Sequence, residues 1–157
     1  MISGIYLDVS ESLPSEFPEE EIIETSLKIL ISYFEKKLDK KYEVSLSIVN
    51  DEEIRLLNKE YRKKDSKTDV LSFPMLAEDE FPDTGESTML GDIVISYETC
   101  LSQSIEIGHS LKDEFFRLLV HGFLHLMGYD HEISPEEEKK MKEKEDEMLE
   151  ILEKEGL

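Results

Sequence analysis

The chain has 157 residues, with 38 acidic and 18 basic side chains that give a formal net charge of −20. This length suits one domain, so we expect residues 1–157 to form a single domain. With only 7 Gly and 5 Pro, collagen-like and Pro/Gly-rich low-complexity classes are excluded. The longest run without Asp, Glu, Lys or Arg, 118–129, is shorter than the ~20 residues of a membrane-spanning helix. A single cysteine and the absence of a basic leader favour a cytoplasmic protein.

Strand and helix patterns alternate in the first half of the chain. Apolar side chains stand at every second position over 5–9 and 42–48, which predicts two strands. Between them, apolar side chains recur every three or four residues over 19–38, the spacing of one helix face. Asn50 is a suitable N-cap for a second helix, with Glu53 as its capping-box partner. The side chains of that helix predicted to face the core are Ile54, Leu57 and Tyr61.

Two short strands are predicted in the middle of the chain, at 70–73 and 90–96, because β-branched and aromatic residues cluster there. The segment 78–88 between them is rich in Asp, Glu, Pro and Gly and predicts a long loop. A short helix over 97–105 follows, and Gly108 is expected to end it.

Two further helices are predicted in the last third. The first begins after the cap Ser110 and is apolar on almost all sides, so it belongs in the middle of the fold. The second begins after Ser134, with Pro135 in its first turn, and its alternating Glu and Lys residues predict a solvated outer helix. Together the elements predict an α+β fold, in which a small mixed sheet of about four strands packs with about five helices.

Three histidines lie within eleven residues at the end of the predicted central helix. His121 and His125 are four residues apart, so both rings project from one helix face, about 40° apart around the axis. Gly128 can adopt the left-handed conformation that ends a helix, which returns His131 toward the same point. Three convergent imidazoles without a neighbouring cysteine are typical of a catalytic metal site. We therefore predict a metal site at the end of the central buried helix, whereas His109 is expected at the surface or in a cap.

The histidine spacing matches the HExxHxxGxxH motif of metalloproteases at every position but one. In those enzymes the Glu after the first His is the general base, and here that position is Gly122, which cannot carry a proton. Peptide hydrolysis by that mechanism is therefore disfavoured. A metallohydrolase for peptides or another small substrate, built on the same three histidines, stays open as the alternative function. A binding module that is stabilised by the metal and has no catalytic activity is the third functional hypothesis.

A basic segment interrupts the acidic chain between Arg55 and Lys67, where six basic residues against two acidic ones give a local net charge of +4. Such a segment is often a solvated helix end whose cations complement the helix dipole. As a group beside a metal centre, the same cations would attract an anionic substrate. Arg62 is the strongest candidate for a direct contact with such a substrate, because a guanidinium binds a phosphate through two hydrogen bonds.

The segment HGFLHLMGYDH, together with NKEYRKKDSKTDVLSFP and LGDIVIS, resembles the YbeY family of metal-dependent endoribonucleases that act in ribosomal RNA maturation and ribosome quality control. The resemblance implies that His121, His125 and His131 bind one metal ion, expected to be zinc, and that Arg62 is a functional residue in the cleft. It implies a hydrolase that cleaves single-stranded or ribosomal RNA, with ribosomal subunit proteins as further candidate partners. Residues 1–157 would then form a single metal-dependent hydrolase domain.

Four other polar residues near these motifs have candidate roles. Asp130 orients a histidine, carries a proton during the reaction or holds the turn after Gly128. The other three, Thr68, Asp69 and Ser72, are expected to support entry into a strand rather than to contact substrate.

Overall fold

Five helices and four strands follow one another in the computed structural model, which describes residues 3–10, 13–75, 87–130 and 134–157. In chain order they are β1 (Ile5–Val9), α1 (Glu20–Leu38), β2 (Lys41–Val49), α2 (Asp51–Arg62), β3 (Val70–Pro74), β4 (Ser87–Ser96), α3 (Tyr97–Ile107), α4 (Leu111–Leu126) and α5 (Pro135–Lys154). Among these helices, none is long and apolar enough to cross a membrane.

The four strands form one mixed sheet in the order β1-β2-β4-β3. The β1–β2 and β2–β4 pairs are parallel, and β3 pairs antiparallel with β4 at the edge of the sheet. The predicted α+β fold, with about four strands and about five helices, is therefore confirmed.

The predicted caps form where the sequence places them. The side chains of Asn50, Ser110 and Ser134 each accept a hydrogen bond from a backbone N–H in the first turn of the following helix. Gly108 ends α3 with a φ of 88°, and Gly128 adopts a φ of 96° just after α4. Both conformations lie in the left-handed region that favours glycine, so these two residues stop their helices at defined points.

The two faces of the sheet are covered unequally. On one face, α1, α4 and α5 enclose a large core that includes Phe34, Phe115 and Phe123. The other face is covered by α2 over a small cluster whose buried members are Ile54, Leu71 and Val94. The outer helix α5 contributes a thin apolar stripe to the large core, formed by Met141, Met148 and Leu152.

Three predictions about individual segments are wrong. Tyr61, predicted to face the core, is 62% exposed, because the small cluster under α2 ends at Phe73 and covers only part of the last helical turn. Strand β4 begins at Ser87 rather than at residue 90, so residues 87 and 88, the last two of the predicted loop 78–88, belong to the strand. The rest of that loop, 78–86, lies outside the described residues. Helix α3 extends two residues beyond the predicted end, to Ile107.

Candidate metal centre and anion-binding surface

The last turns of α4 bring two of the predicted ligands together. His121 and His125 are both partly exposed, and their ring centroids are 4.6 Å apart at an interplanar angle of 75°. Their Nε2 atoms face each other at 3.1 Å. Helical spacing alone brings the rings to one side, and the packing of α4 turns the same nitrogen of each ring toward a common point.

A carboxylate from α5 holds the first of these rings. The Oε2 atom of Glu145 lies 3.2 Å from Nδ1 of His121, and the Glu145 side chain is 17% exposed. In the tautomer with its proton on Nδ1, His121 donates to Glu145 and keeps the Nε2 lone pair for a ligand. Carboxylate partners of this kind orient histidine ligands in metal sites. Sequence reasoning missed Glu145, which is one of many Glu residues in α5.

The pair of nitrogens fits a metal ion. With Zn–N bonds of ~2.0–2.1 Å, two nitrogens of a tetrahedral zinc site lie roughly 3.3 Å apart, close to the 3.1 Å between the Nε2 atoms. The third predicted ligand, His131, belongs to 131–133, outside the part of the chain that the structure describes. Within the described part, no three His, Cys, Asp or Glu side chains converge in the manner of a metal site. Cys100 is buried, and burial raises the pKa of its thiol to about 12, which makes it a poor ligand.

Gly122 is required by the packing of α4 on the sheet. A Cβ atom at this position would lie 2.9 Å from Cγ2 of Ile93 and 3.1 Å from Cγ2 of Val70. The hydroxyl of Ser72 donates to the Gly122 carbonyl oxygen at 3.0 Å, which fixes α4 against β3. A glutamate at this position would therefore point into the sheet, so the metalloprotease base has no room here.

The C-terminal end of β3 connects the histidines with Arg62. A Cβ atom on Gly91 would lie 3.0 Å from both Leu126 and Pro74, so the end of α4 lies over the end of β3. On the opposite face, Phe73 contacts Tyr61 with ring centroids 5.4 Å apart, and Arg62 follows as the last residue of α2. Arg62 and the two histidines thus lie at the same end of the sheet, on opposite sides of its edge strand.

The cations of the basic segment fall into two groups. Three of them pair with acids, Arg55 with Glu52 and Asp65, Lys59 with Asp65 and Lys67 with Asp51. Among the residues of known structure, the other three form no ion pair and are exposed, and we call them the cationic turn: Arg62, Lys63 and Lys64. The positive charge available to a ligand is therefore concentrated where α2 ends.

A second buried polar group, also missed from the sequence, lies at the start of α4. Glu114 is fully buried, and Arg117 donates to its two oxygens at 2.9 and 2.6 Å. Gln103 donates to it at 2.7 Å, and Nε2 of His109 lies 2.8 Å away. Burial alone would raise the pKa of Glu114, but these hydrogen bonds outweigh burial and hold the pKa below its ordinary value. His109 is in the predicted capping region but supports this buried carboxylate.

Three candidate residues remain. Thr68 and Asp69 make contacts of a structural kind, and the position of Asp130 does not assign it a role. Asp69 accepts hydrogen bonds from Val70 N at 2.7 Å and Gln103 Nε2 at 3.2 Å, which links the start of β3 to α3. Thr68 donates to the same carboxylate at 3.4 Å. These contacts agree with a supporting role at the strand entry. Asp130 is half-buried after Gly128, and its role stays a prediction.

A mixed sheet covered by a helix that ends in two paired histidines defines an α+β protein, with a candidate metal centre and a candidate anion-binding surface at the same end of the sheet. Residues 9–153 match the family described as Endoribonuclease YbeY. A protein named Endoribonuclease YbeY from Aquifex aeolicus is 55% identical over 112 residues, which cover 71% of each chain. The protein of that name from Clostridioides difficile is 48% identical over 135 residues, covering 85% of this chain and 87% of its own.

A solution structure of a Thermotoga maritima protein is similar to this fold with a TM-score of 0.66 and 27% identity, covering 96% of this chain and 90% of that one. The family match spans well over half of the chain, and the relatives are far more than 30% identical. The chain belongs to the Endoribonuclease YbeY family.

Proposed function

We propose that this protein is a metal-dependent endoribonuclease that cleaves single-stranded RNA and acts in ribosomal RNA maturation and ribosome quality control. The observation that carries the proposal is the pair of Nε2 atoms of His121 and His125, 3.1 Å apart, at the same end of the sheet as the cationic turn. A pair of candidate metal ligands at the same end of the sheet as cations without ion pairs suits an anionic phosphodiester substrate better than a neutral one.

Each side chain has a distinct role in this proposal. His121, His125 and His131 would hold one metal ion, with zinc as the proposed identity because the family resemblance implies it and three imidazoles are a ligand set of catalytic zinc sites. Such an ion supplies Lewis acidity toward a phosphate oxygen and makes nearby water a stronger acid. Glu145 keeps the Nδ1 proton of His121 in place, so that Nε2 stays available.

Arg62 is the proposed catalytic residue on the substrate side. Its guanidinium would donate to two oxygens of the scissile phosphate and stabilise the negative charge that grows there during cleavage. No acid of the described chain neutralises it, so its charge is available to the substrate. Arg55, seven residues earlier, is held by Glu52 and Asp65 and has no such freedom.

The remaining parts of the proposal concern context. The single hydrolase domain of 1–157, the ribosomal RNA substrate, ribosomal subunit proteins as further partners and a cytoplasmic location belong to it.

A cleavage assay tests the function. Zinc-loaded protein is incubated with labelled single-stranded RNA, its duplex and a labelled peptide, each with and without a chelator. We expect cleavage of the single-stranded RNA alone, abolished by the chelator and by the His125→Ala substitution. Peptide cleavage without RNA cleavage would replace the proposal with the metallohydrolase alternative, and RNA cleavage that survives both treatments would point to a contaminating nuclease.

A further inference from the structure

We propose that the exposed ring of Tyr61 is a stacking surface for one base of single-stranded RNA, bound beside the cationic turn. This inference rests on the proposed endoribonuclease function and adds the residue that recognises a base rather than a phosphate.

Tyr61 is exposed although its position in the helical pattern of α2 is that of a core residue. The residue is 62% exposed, although it lies on the same helix face as the fully buried Ile54. Its hydroxyl has no hydrogen-bond partner among the residues with described positions. Because the ring is not buried in the core and its hydroxyl makes no such hydrogen bond, the ring is available to a ligand. Aromatic rings are the side chains on which bases stack.

The ring is nevertheless held in place. Phe73 contacts it at a centroid distance of 5.4 Å and an interplanar angle of 64°, an edge-to-face arrangement. Three residues earlier in α2, the side chain of Asn58 is buried and donates from Nδ2 to the carbonyl oxygen of Ser66 at 2.9 Å, which anchors the turn after α2. A prearranged ring loses little conformational entropy when a base stacks on it.

Charge around the ring selects a polyanion. Arg62, Lys63 and Lys64 follow Tyr61 directly, and Lys63 has a φ of 60° that turns the chain sharply at this point. The available cations therefore follow the ring directly along the chain, in a protein whose net charge of −20 repels RNA elsewhere. A flat apolar surface flanked by unpaired cations matches a base with its phosphates, the combination used by proteins that bind single strands.

The same argument predicts selectivity. In a duplex the base faces are covered by their neighbours, so they cannot stack on a side chain without unpairing. Tyr61 would therefore contribute to the binding of single-stranded RNA and not to the binding of a duplex of the same sequence. If this surface instead bound a protein partner, a substitution of Tyr61 would weaken the binding of neither the single-stranded RNA nor the duplex.

Binding measurements on the metal-loaded full chain test the proposal. A fluorescent single-stranded RNA with 2′-O-methyl groups is titrated by anisotropy, and its intactness is checked on a gel. Tyr61→Ala is expected to weaken binding by about fivefold or more, whereas Tyr61→Phe keeps the ring and stays within about twofold. The matched control is Leu56→Ala, because Leu56 is 51% exposed on the same helix but about 140° away around its axis.

A second arm separates stacking from a general effect on the surface. RNAs with one abasic position each are compared, and at one position the loss of the base should weaken wild-type binding but not the binding of Tyr61→Ala. Equal affinities of wild type and Tyr61→Ala, or equal losses in Leu56→Ala or Tyr61→Phe, would overturn the stacking role. If wild type still cleaves RNA in that case, the proposed function stands alone; if it neither binds nor cleaves RNA, both are wrong.

Discussion

The two faces of the sheet are covered to different extents, and the proposed function assigns them different tasks. On the α4 face, rings such as Phe115 and Phe123 are fully buried, and α1 and α5 cover the histidine-bearing helix. On the α2 face, a few aliphatic side chains anchor one helix, whose last turn leaves Tyr61 and the cationic turn exposed. A metal site requires atoms held to within a fraction of an ångström, which a dense core supplies. Contact with a flexible polyanion requires accessible charge, which a lightly covered helix end supplies.

The largest expected effect tests the role of the α4 face. His125→Ala should lose its bound metal and reduce RNA cleavage to background, because one of the converging nitrogens is removed. Elemental analysis of the purified protein and a cleavage assay measure the two quantities. The control is His109→Gln, which keeps a hydrogen-bond donor for Glu114 and should retain the metal. Unchanged metal content in His125→Ala would remove this residue from the ligand set.

On the α2 face, Arg62→Ala should lower the rate of RNA cleavage on the order of 100-fold while metal content and folding stay unchanged. Arg62→Lys should restore only part of the rate, because an ammonium cannot make the same paired contact with a phosphate. Single-turnover rates of both variants are compared with those of Arg55→Ala, whose guanidinium is already held by Glu52 and Asp65. A wild-type rate in Arg62→Ala would exclude it from the mechanism.

The support of His121 by α5 gives a smaller effect. Glu145→Ala should weaken metal affinity by roughly 10- to 100-fold, because the ring loses the partner of its Nδ1 proton. Competition with a chelating dye measures the affinity. Glu143→Ala, an acidic residue two positions away on the same helix, is the control for the change in charge. An equal effect of the two substitutions would mean that charge alone, and not the contact with His121, matters.

Two hydrogen-bonded carboxylates, Glu114 and Asp51, should contribute unequally to the free energy of unfolding. Glu114→Gln should lower the free energy of unfolding at pH 7 by ~1–3 kcal/mol, whereas Asp51→Asn on the more open face should cost less, since Asp51 is 27% exposed. The pKa of Glu114 is lowered in the folded chain, so its contribution is present above the ordinary carboxyl pKa and is lost as the pH falls through the folded value. Urea unfolding at pH 7 and near pH 3 should therefore show the difference from wild type shrinking in acid. A constant difference would contradict this role.

Salt should produce the smallest change. Cleavage is expected to rise and then fall with ionic strength, since salt screens the repulsion from the −20 net charge before it weakens contacts with the cationic turn. The double substitution Lys63→Glu and Lys64→Glu should shift the falling limb to lower salt by a few-fold. The same change at Lys139 and Lys140, exposed on α5, is the control. A salt curve that neither double substitution moves would mean that the turn is only a solvated helix end.

Local patterns in the sequence determined much of this protein. The caps Asn50, Ser110 and Ser134 act on backbone groups three residues away, so short-range hydrogen bonding suffices to predict them. The shared helix face of His121 and His125 follows from helical geometry alone, as does the central position of an almost wholly apolar α4. These features need no knowledge of which elements pack together.

Tertiary structure decided the rest, because the interactions join residues far apart in the chain. Strand β4 begins at Ser87 because its first residues pair with β2, a partner that their own pattern does not reveal. Glu145 and His121 are 24 residues apart in the chain and come into contact only when α5 packs on α4. Tyr61 follows the helical pattern of a core residue and is exposed because the cluster beneath α2 ends at Phe73. Periodicity predicts which side of a helix faces inward, but only the packed fold determines how far along that side the core extends.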